Sequence, residues 1–235
     1  MSLCNIKTIN QYYNTTELSP QRKENLILSL YPINISENIW NDTSQLANNV
    51  TLTTLNQIYI TPTEIFKSYV DVIGTCNNTV TPPLDEITIE MWVKVVNFDG
   101  TIFFVSNRAG YHNVGYSFGK YLYGGNSLIF SIGYTTAYTN LLSSSMTWTI
   151  GNWYHIGVTY KSPLATFYIN GVLHGTQSIP ITSNIIQGSR NLEINTSTNY
   201  TSEMRIYNVA LTPSEMSNNY INSATYHLLN SINIL

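Results

Sequence analysis

Residues 153–174 restrict this chain to an antiparallel sheet more strongly than any other segment. From Trp153 to Tyr160 the even positions hold Tyr, Ile, Val and Tyr, whereas the odd positions hold Trp, His, Gly and Thr. A period of two is the period of a β-strand. A second alternating run follows Ser162-Pro163 and ends in Asn170-Gly171, the pair that best tolerates the positive φ angles of a tight hairpin. We therefore predict two paired strands and a third that returns through Val172-Leu173.

A second segment, residues 202–215, predicts a strand followed by a helix. Residues 203–207 read Glu-Met-Arg-Ile-Tyr, which places Met and Ile on one face of a strand and Arg and Tyr on the other. Thr212 is a favourable N-cap, Pro213 suits the first helical position, and Glu215 stands where a capping box requires an acidic residue. We predict a short helix from about Pro213 to Ile221.

These two segments closely resemble motifs of the laminin-G-like jelly roll in the concanavalin A-like lectin/glucanase superfamily. The shared motifs are a Trp-x-His strand, a hairpin ending Tyr-x-Asn-Gly, and a Glu-x-Arg-x-Tyr strand with a capped helix, at residues 153–160, 168–171 and 203–215. Upstream, residues 87–94 resemble the family's early Trp-containing strand, and residues 26–30 and 40–44 resemble its opening strand and Trp-x-Asp-x-Ser loop. The resemblance spans roughly residues 26–222.

The resemblance implies an all-β fold, a concanavalin A-like two-sheet antiparallel jelly-roll sandwich with one short helix near the C-terminus. We assign this laminin-G-like jelly roll to residues 26–222. Residues 1–25 are predicted to form an N-terminal arm or an extra strand. Residues 223–235 are rich in Leu and Ile, so we predict an apolar C-terminal tail that packs on the sandwich or on a neighbour.

The low charge of the chain limits its partners. Charged residues make up 10% of the 235 residues, and the net charge is -3. Without a Lys/Arg cluster, the sequence argues against nucleic acid and against anionic membranes as partners. Either AT-rich codon usage or a surface built for assembly or for uncharged ligands explains this composition, and the second explanation predicts self-association.

The hydropathy pattern predicts no membrane span, because no apolar stretch is long enough to cross a bilayer. The polar start also lacks the basic-then-apolar layout of a signal peptide. The sequence leaves the compartment open, and a virion or cell surface reached without a classical signal is one expectation.

The sequence lacks the carboxylate pattern of the related glucanases. Those enzymes place Glu-x-Asp-x-Glu on one strand, because alternation then aims all three carboxylates into one cleft. This triplet is absent, and the closest pairs are Asp85 with Glu86 and Glu86 with Glu90. None of the four histidines, His112, His155, His174 and His227, has another His or Cys at metal-ligand spacing. We predict that the protein is not an enzyme, and we expect His155 to be structural.

Calcium is the cofactor that the family resemblance raises. Calcium prefers several oxygen ligands, usually including carboxylates, and the sequence contains no Asp-x-Asp cluster. Ser202 also stands where the family usually has Asp before Glu203. We therefore predict no cofactor, and a calcium site built from Asp99, backbone carbonyls and an Asn is the alternative left open.

The segment from Asn107 to Tyr138 is the strongest candidate for recognition. It is rich in Tyr and Asn set among Gly and Ser, and these side chains suit sugar rings or a protein surface. The alternative to a binding role is that these tyrosines alternate along strands and only cover the faces of the sandwich. The predicted ligand-binding residues are Asn107, Arg108, Tyr111, His112, Asn113 and Tyr116.

Two functions fit these observations. The first is a noncatalytic, lectin-like module that recognises carbohydrate through Tyr/Asn-rich surface loops. The second is a structural or adhesive subunit of a surface assembly or virus particle that binds no glycan. One scaffold supports both roles, so the sequence alone does not separate them.

Overall fold

The computed structural model describes residues 22–60, 68–76, 85–96, 100–108, 114–121, 126–134, 137–179, 185–186, 190–195 and 199–232. Most of the predicted N-terminal arm therefore lies outside the described residues, and its structure stays a prediction. Residues 22–25 include a short 3-10 helix, Lys23–Asn25, which leads directly into the first strand.

The described residues form mainly β-strands. The strands are β1 Leu26–Ser36, β2 Ile39–Asp42, β3 Val50–Ile60, β4 Ser68–Cys76, β5 Glu86–Val95, β6 Ile102–Ser106, β7 Tyr116–Tyr121, β8 Ser127–Tyr134, β9 Ala137–Leu142, β10 Trp153–Lys161, β11 Leu164–Ile169, β12 Val172–Ser178, β13 Leu192–Asn195 and β14 Asn199–Tyr207. One α-helix, α1 Pro213–Ile232, follows β14.

The strands pair antiparallel in one continuous order, β12-β11-β10-β5-β14-β1-β2-β3-β4-β13-β6-β7-β8-β9. This order folds over on itself. Across the core, the rings of Phe130 in β8 and Tyr160 in β10 lie 5.8 Å apart. At the two ends of the order, Leu142 N donates to Gln177 Oε1 at 2.5 Å, so that β9 lies beside β12. The predicted all-β jelly-roll sandwich is confirmed.

Alternation determines which side chains enter the core. In β5 the core positions are Ile87, Ile89, Met91, Val93 and Val95. The positions between them point to the opposite face, where Glu90 and Trp92 meet α1. Strands β10 and β14 follow the same pattern on either side of β5. The sandwich therefore has an apolar interior and a second, polar layer beneath α1.

The predicted Asn-Gly hairpin connects β11 to β12. Asn170 has φ 50° and Gly171 has φ 72°, as a two-residue turn with positive φ at both central positions requires. Asn170 Oδ1 also accepts a hydrogen bond from His155 N at 2.9 Å. The turn residue thus fixes the end of the neighbouring strand β10 as well.

The predicted capping box is present, but α1 is longer than expected. Glu215 N donates to Thr212 Oγ1 at 3.3 Å, and Thr212 N donates to Glu215 Oε2 at 2.8 Å. The helix continues to Ile232 instead of ending near Ile221, because no Gly or Pro interrupts residues 214–232 and buried side chains face the sheet as far as His227. Residues 223–232, predicted as an apolar tail, therefore extend the helix.

Candidate binding site

The predicted ligand-binding residues do not form one surface loop. Tyr111, His112 and Asn113 lie outside the described residues, so ligand contact by these three stays a prediction. Asn107 and Tyr116 are 3% and 0% exposed. The structure corrects the expectation that these two residues belong to a surface loop.

Asn107 and Tyr116 close the connection between β6 and β7 from inside. Asn107 N donates to Tyr116 O at 3.0 Å, and Tyr116 N donates to Asn107 Oδ1 at 2.7 Å. The Tyr116 ring packs against Phe130, and burial raises the pKa of its hydroxyl. Both residues therefore stabilise the two ends of the β6–β7 connection. Their side chains are buried, so any ligand at this surface would contact other side chains.

Arg108 is half-buried and stacks on an exposed tyrosine. Its guanidinium carbon lies 4.8 Å from the centroid of the Tyr138 ring, and Tyr138 is 39% exposed. Burial lowers the pKa of Arg108, yet a guanidinium remains charged in proteins. Gly133 stands directly opposite Tyr138 in the β8–β9 pair and adds no side chain beside the ring. Such a contact contributes about 0.5–1 kcal/mol at an exposed site, enough to orient Arg108.

A row of short polar side chains crosses the four strands next to this stack. Ser106, Ser117, Ser131 and Asn140 stand directly opposite one another in β6, β7, β8 and β9. Opposed residues of antiparallel strands share a face, and the next residue of β7, Phe118, belongs to the core. The row therefore lies on the face of these strands opposite the core, where Ser117 and Ser131 are themselves buried and Asn140 is exposed.

The row orients two side chains at the surface. Ser131 Oγ donates to Asn140 Oδ1 at 2.6 Å, and among the described residues nothing accepts a hydrogen bond from the Asn140 NH2 group. Arg108 N donates to Ser106 Oγ at 3.3 Å. Tyr138 and Asn140 are two residues apart in β9, so they point to the same side about 7 Å from each other. We name Arg108, Tyr138 and Asn140 the outer patch.

The outer patch combines three kinds of contact. Arg108 carries a positive charge, Tyr138 offers an aromatic ring with a hydroxyl group, and Asn140 offers amide N–H donors. These groups can bind hydroxyl or carboxylate oxygens and can cover a small apolar surface. The three residues include no carboxylate, imidazole or thiol, so the patch itself supplies no general base or nucleophile.

The carboxylates considered for catalysis lie elsewhere, beneath α1. Glu90 and Glu203 are 1% and 2% exposed. Arg205 Nη1 donates to Glu90 Oε1 at 2.9 Å, and Arg205 Nη2 donates to Glu203 Oε1. We name Glu90, Glu203 and Arg205 the carboxylate cluster. Glu86 lies outside it and pairs with Lys161 at 2.7 Å, and this hydrogen bond lowers the pKa of Glu86.

Helix α1 covers the carboxylate cluster with polar side chains. Asn219 Nδ2 donates to Glu90 Oε1 at 2.9 Å, and Ser223 Oγ donates to Glu203 Oε2. His227 Nε2 lies 3.3 Å from the same Glu203 oxygen. The cluster is thus enclosed by the protein, and its carboxylates bind the helix instead of facing a cleft.

The structure also bears on cation binding. Asp42 follows the Trp of the predicted Trp-x-Asp-x-Ser loop, and its carboxylate accepts hydrogen bonds from Ser29 N, Ser44 N, Ser44 Oγ and Asn48 N. These bonds fix the loop. Within the described ranges, no group of three or more His, Cys, Asp and Glu side chains could hold a metal ion. Asp99, named for the alternative calcium site, lies outside them.

Two features of these sites escaped the sequence prediction. Asn140 lies just beyond the Tyr-rich segment, and only the pairing of β8 with β9 places it beside Ser131. The polar residues Asn219, Ser223 and His227 recur every four positions, which is a helical signal for one shared face. That signal was available in the sequence, but the predicted helix ended near Ile221, before Ser223 and His227.

Comparisons with known proteins agree with the fold. A laminin-G family model described as the concanavalin A-like lectin/glucanases superfamily matches residues 67–217. No curated protein matches the chain. Among the described residues, no helix has the length and apolar composition needed to cross a membrane.

Solved structures with the same fold include binding domains of clostridial toxins. The binding domain of Paraclostridial Mosquitocidal Protein 1 is 20% identical with a TM-score of 0.64, and the match covers 85% of this chain and 52% of that one. The receptor binding domain of botulinum neurotoxin D is 15% identical with a TM-score of 0.62, covering 86% and 53%.

A third match is the botulinum neurotoxin serotype D ligand binding domain in complex with N-acetylneuraminic acid. It is 15% identical with a TM-score of 0.60, and the match covers 85% of this chain and 51% of that one. The chain thus spans about half the length of these relatives. At such identities the likeness establishes a shared fold.

Proposed function

Because the chain belongs to the concanavalin A-like lectin/glucanases superfamily, we propose that it is a noncatalytic, lectin-like module that binds carbohydrate at the outer patch. The observation that carries this proposal is the Arg108–Tyr138 stack beside an Asn140 amide that Ser131 holds in place. The predicted residue Arg108 is retained in this site, while Tyr138 and Asn140 replace the buried Asn107 and Tyr116.

The chemistry of the outer patch fits a sugar better than a purely apolar ligand. An aromatic ring covers the C–H face of a pyranose, while amide and guanidinium N–H groups donate to its hydroxyl oxygens. Because Arg108 and Asn140 are already oriented by Tyr138 and Ser131, less side-chain entropy is lost on binding. Binding is therefore expected to be weak but selective.

The toxin binding domains support the class of function. Their names describe receptor or ligand binding, and one of them holds N-acetylneuraminic acid. They are twice as long as the matched region, so the position of their ligand sites does not enter the proposal. The absence of an acid or base from the outer patch supports a noncatalytic role, because glycoside hydrolysis uses a pair of carboxyl groups.

A protein surface is the second candidate partner. Val172 and Leu173 at the β11–β12 turn are 68% and 56% exposed, and Ile221 on α1 is 53% exposed. The turn and the helix are adjacent, because a Cβ at Gly171 would lie 2.9 Å from Tyr220 Cβ. These aliphatic side chains favour a structural or adhesive role, and self-association stays a prediction.

A glycan array tests the proposed function. We expect the full chain to bind a restricted set of glycans and the variant R108A/Y138A to bind them about ten- to a hundredfold more weakly, as expected when a central aromatic and an Arg are removed. The control variant R22A removes an exposed cation that pairs with Glu215 of α1 and is not part of the outer patch, and it should bind as the unmodified chain does. An array without hits, or hits that R108A/Y138A retains, would contradict the proposal.

A further inference from the structure

Helix α1 contacts the sandwich through buried polar groups and through two small apolar clusters, around Met216 and around Trp92, that are separate from the large core. Its buried face contains Met216, Asn219, Ser223 and His227. Ser223 accepts a hydrogen bond from Trp92 Nε1 at 2.7 Å in addition to its bond to Glu203. The large apolar core lies on the other side of the sheet, because the core residues of β5, β10 and β14 alternate with those that face α1. The helix and the core are thus held by different interactions.

Two histidines are enclosed between α1 and the sheet. His227 on the helix and His155 on β10 are 7% and 1% exposed. His155 Nε2 lies 3.6 Å from Glu90 Oε2, and its Nδ1 has no hydrogen-bond partner within the described part of the chain. The rings of both histidines contact Trp92, at 5.2 Å and 6.5 Å between centroids. Removing the helix would expose both imidazoles to water.

The groups that face these histidines come from every element around them. They are Tyr31 from β1, Glu90 from β5, Glu203, Arg205 and Tyr207 from β14, and Tyr220 and Tyr226 from α1. Arg205 supplies the positive charge that the two carboxylates share. Glu90, Glu203 and Arg205 together carry one negative charge, so this cluster balances a proton on one imidazole, whereas protons on both would leave a net positive charge buried beneath α1.

We propose that α1 is an acid-released clamp, which detaches from the β5–β10–β14 face when His155 and His227 become protonated while the sandwich core remains folded. Docked α1 leaves His155 1% and His227 7% exposed, and lifting the helix would admit water to both imidazoles. Release exposes Trp92 and the carboxylate cluster. Acidic solution thereby converts a closed face of the sandwich into an open one.

The direction of the pH effect follows from the burial of the two histidines. Burial lowers the pKa of His155 from 6.5 to about 4, with Glu90 opposing and Arg205 and His227 adding to the shift. Burial, then Arg205, lowers the pKa of His227 from 6.5 to about 3. The released state therefore binds more protons below pH 6.5, and the docked helix loses stability as the pH falls toward 4.

Hydrogen exchange on the full chain measures this release. Protection factors, corrected for the intrinsic pH dependence of exchange, report the opening of α1 separately from that of β7 and β8. Each histidine should increase the opening constant about tenfold per pH unit between about pH 6 and pH 4. We expect α1 to lose protection in this range while β7 and β8 keep theirs. Loss of protection by all three elements together would overturn the proposal.

A variant without the two histidines tests which groups must be protonated to release α1: the two imidazoles, or the carboxylates of Glu90 and Glu203. H155Q/H227Q keeps polar side chains but removes both titrations, so the opening of α1 should become nearly independent of pH above about pH 5. The control H174Q changes a partly exposed histidine on β12 that contacts Ser144 O at 3.1 Å, and it should open as the unmodified chain does. An unchanged pH dependence in H155Q/H227Q would assign release to Glu90 and Glu203 and overturn the proposal.

Discussion

Replacing Arg205 with Met should destabilise the protein by about 3–5 kcal/mol, because it leaves two buried carboxylates without their common cation. Glu90 and Glu203 each accept a hydrogen bond from Arg205, and all three side chains are at most 3% exposed. Methionine retains much of the volume, so the loss measures charge compensation more than packing. Urea unfolding at neutral pH gives this free energy directly.

Two matched variants make the Arg205 result interpretable. R22M removes an exposed arginine that pairs with Glu215 at 2.6 Å, and the loss should not exceed about 1 kcal/mol. E90Q/E203Q/R205M replaces all three charges and should recover most of the stability that R205M loses, because no buried charge remains unpaired. If R205M cost no more than R22M, the carboxylate cluster would not hold α1 to the sheet.

Replacing Gly119 with Ala should cost about 3 kcal/mol or more, at the upper end of what overpacking usually costs. A Cβ at this position would overlap the carbonyl oxygen of Ile102 and lie 2.7 Å from Phe103 Cα. Both are backbone atoms, so they move only if β6 moves away from β7. The register of β6 on β7 already shifts between Phe103 and Val105, and the backbones of the two strands lie close together at this irregularity.

Gly151 provides the control for Gly119. It has φ 86° and open space where a Cβ would lie, so G151A should cost only the backbone strain of about 1 kcal/mol. Thermal or urea unfolding of the two variants would rank them. An equal loss in both would mean that β6 and β7 are not packed as closely as the structure shows.

The strand framework was predictable because local signals agreed with the final packing. Alternation in residues 153–160, the Asn-Gly turn and the Thr212 capping box each specify geometry within a few residues. These short-range rules hold whatever the rest of the chain does. The same reasoning correctly placed Met204 and Ile206 on one face of β14 and Arg205 and Tyr207 on the other.

The sites were less predictable because they depend on contacts between distant residues. Arg108 meets Tyr138, and Glu90 meets Arg205, across 30 and 115 positions of sequence. Tyr116 looked like a loop residue because Gly and Asn surround it, but the first position of β7 turns its ring into the core. No local pattern distinguishes a tyrosine that stacks on the surface from one that fills the interior.

The length of α1 was mispredicted for a related reason. Its buried face is mostly polar, so an apolar helical pattern fades after Met216. Polar residues serve there because the sheet face opposite them carries Glu90, Glu203 and Arg205, which need hydrogen-bond partners. The four-residue spacing of Asn219, Ser223 and His227 indicates a longer helix, and pairing that polar face with the charged face of the sheet would have supported it.

The most direct test of the proposed binding site is an amide chemical-shift map of the full chain with the glycan that binds most tightly on the array. We expect the largest shifts to cluster at Arg108, Ser131, Tyr138 and Asn140, with little change along α1. Shifts centred on the β11–β12 turn and α1, or no saturable shifts at all, would contradict carbohydrate binding at the outer patch.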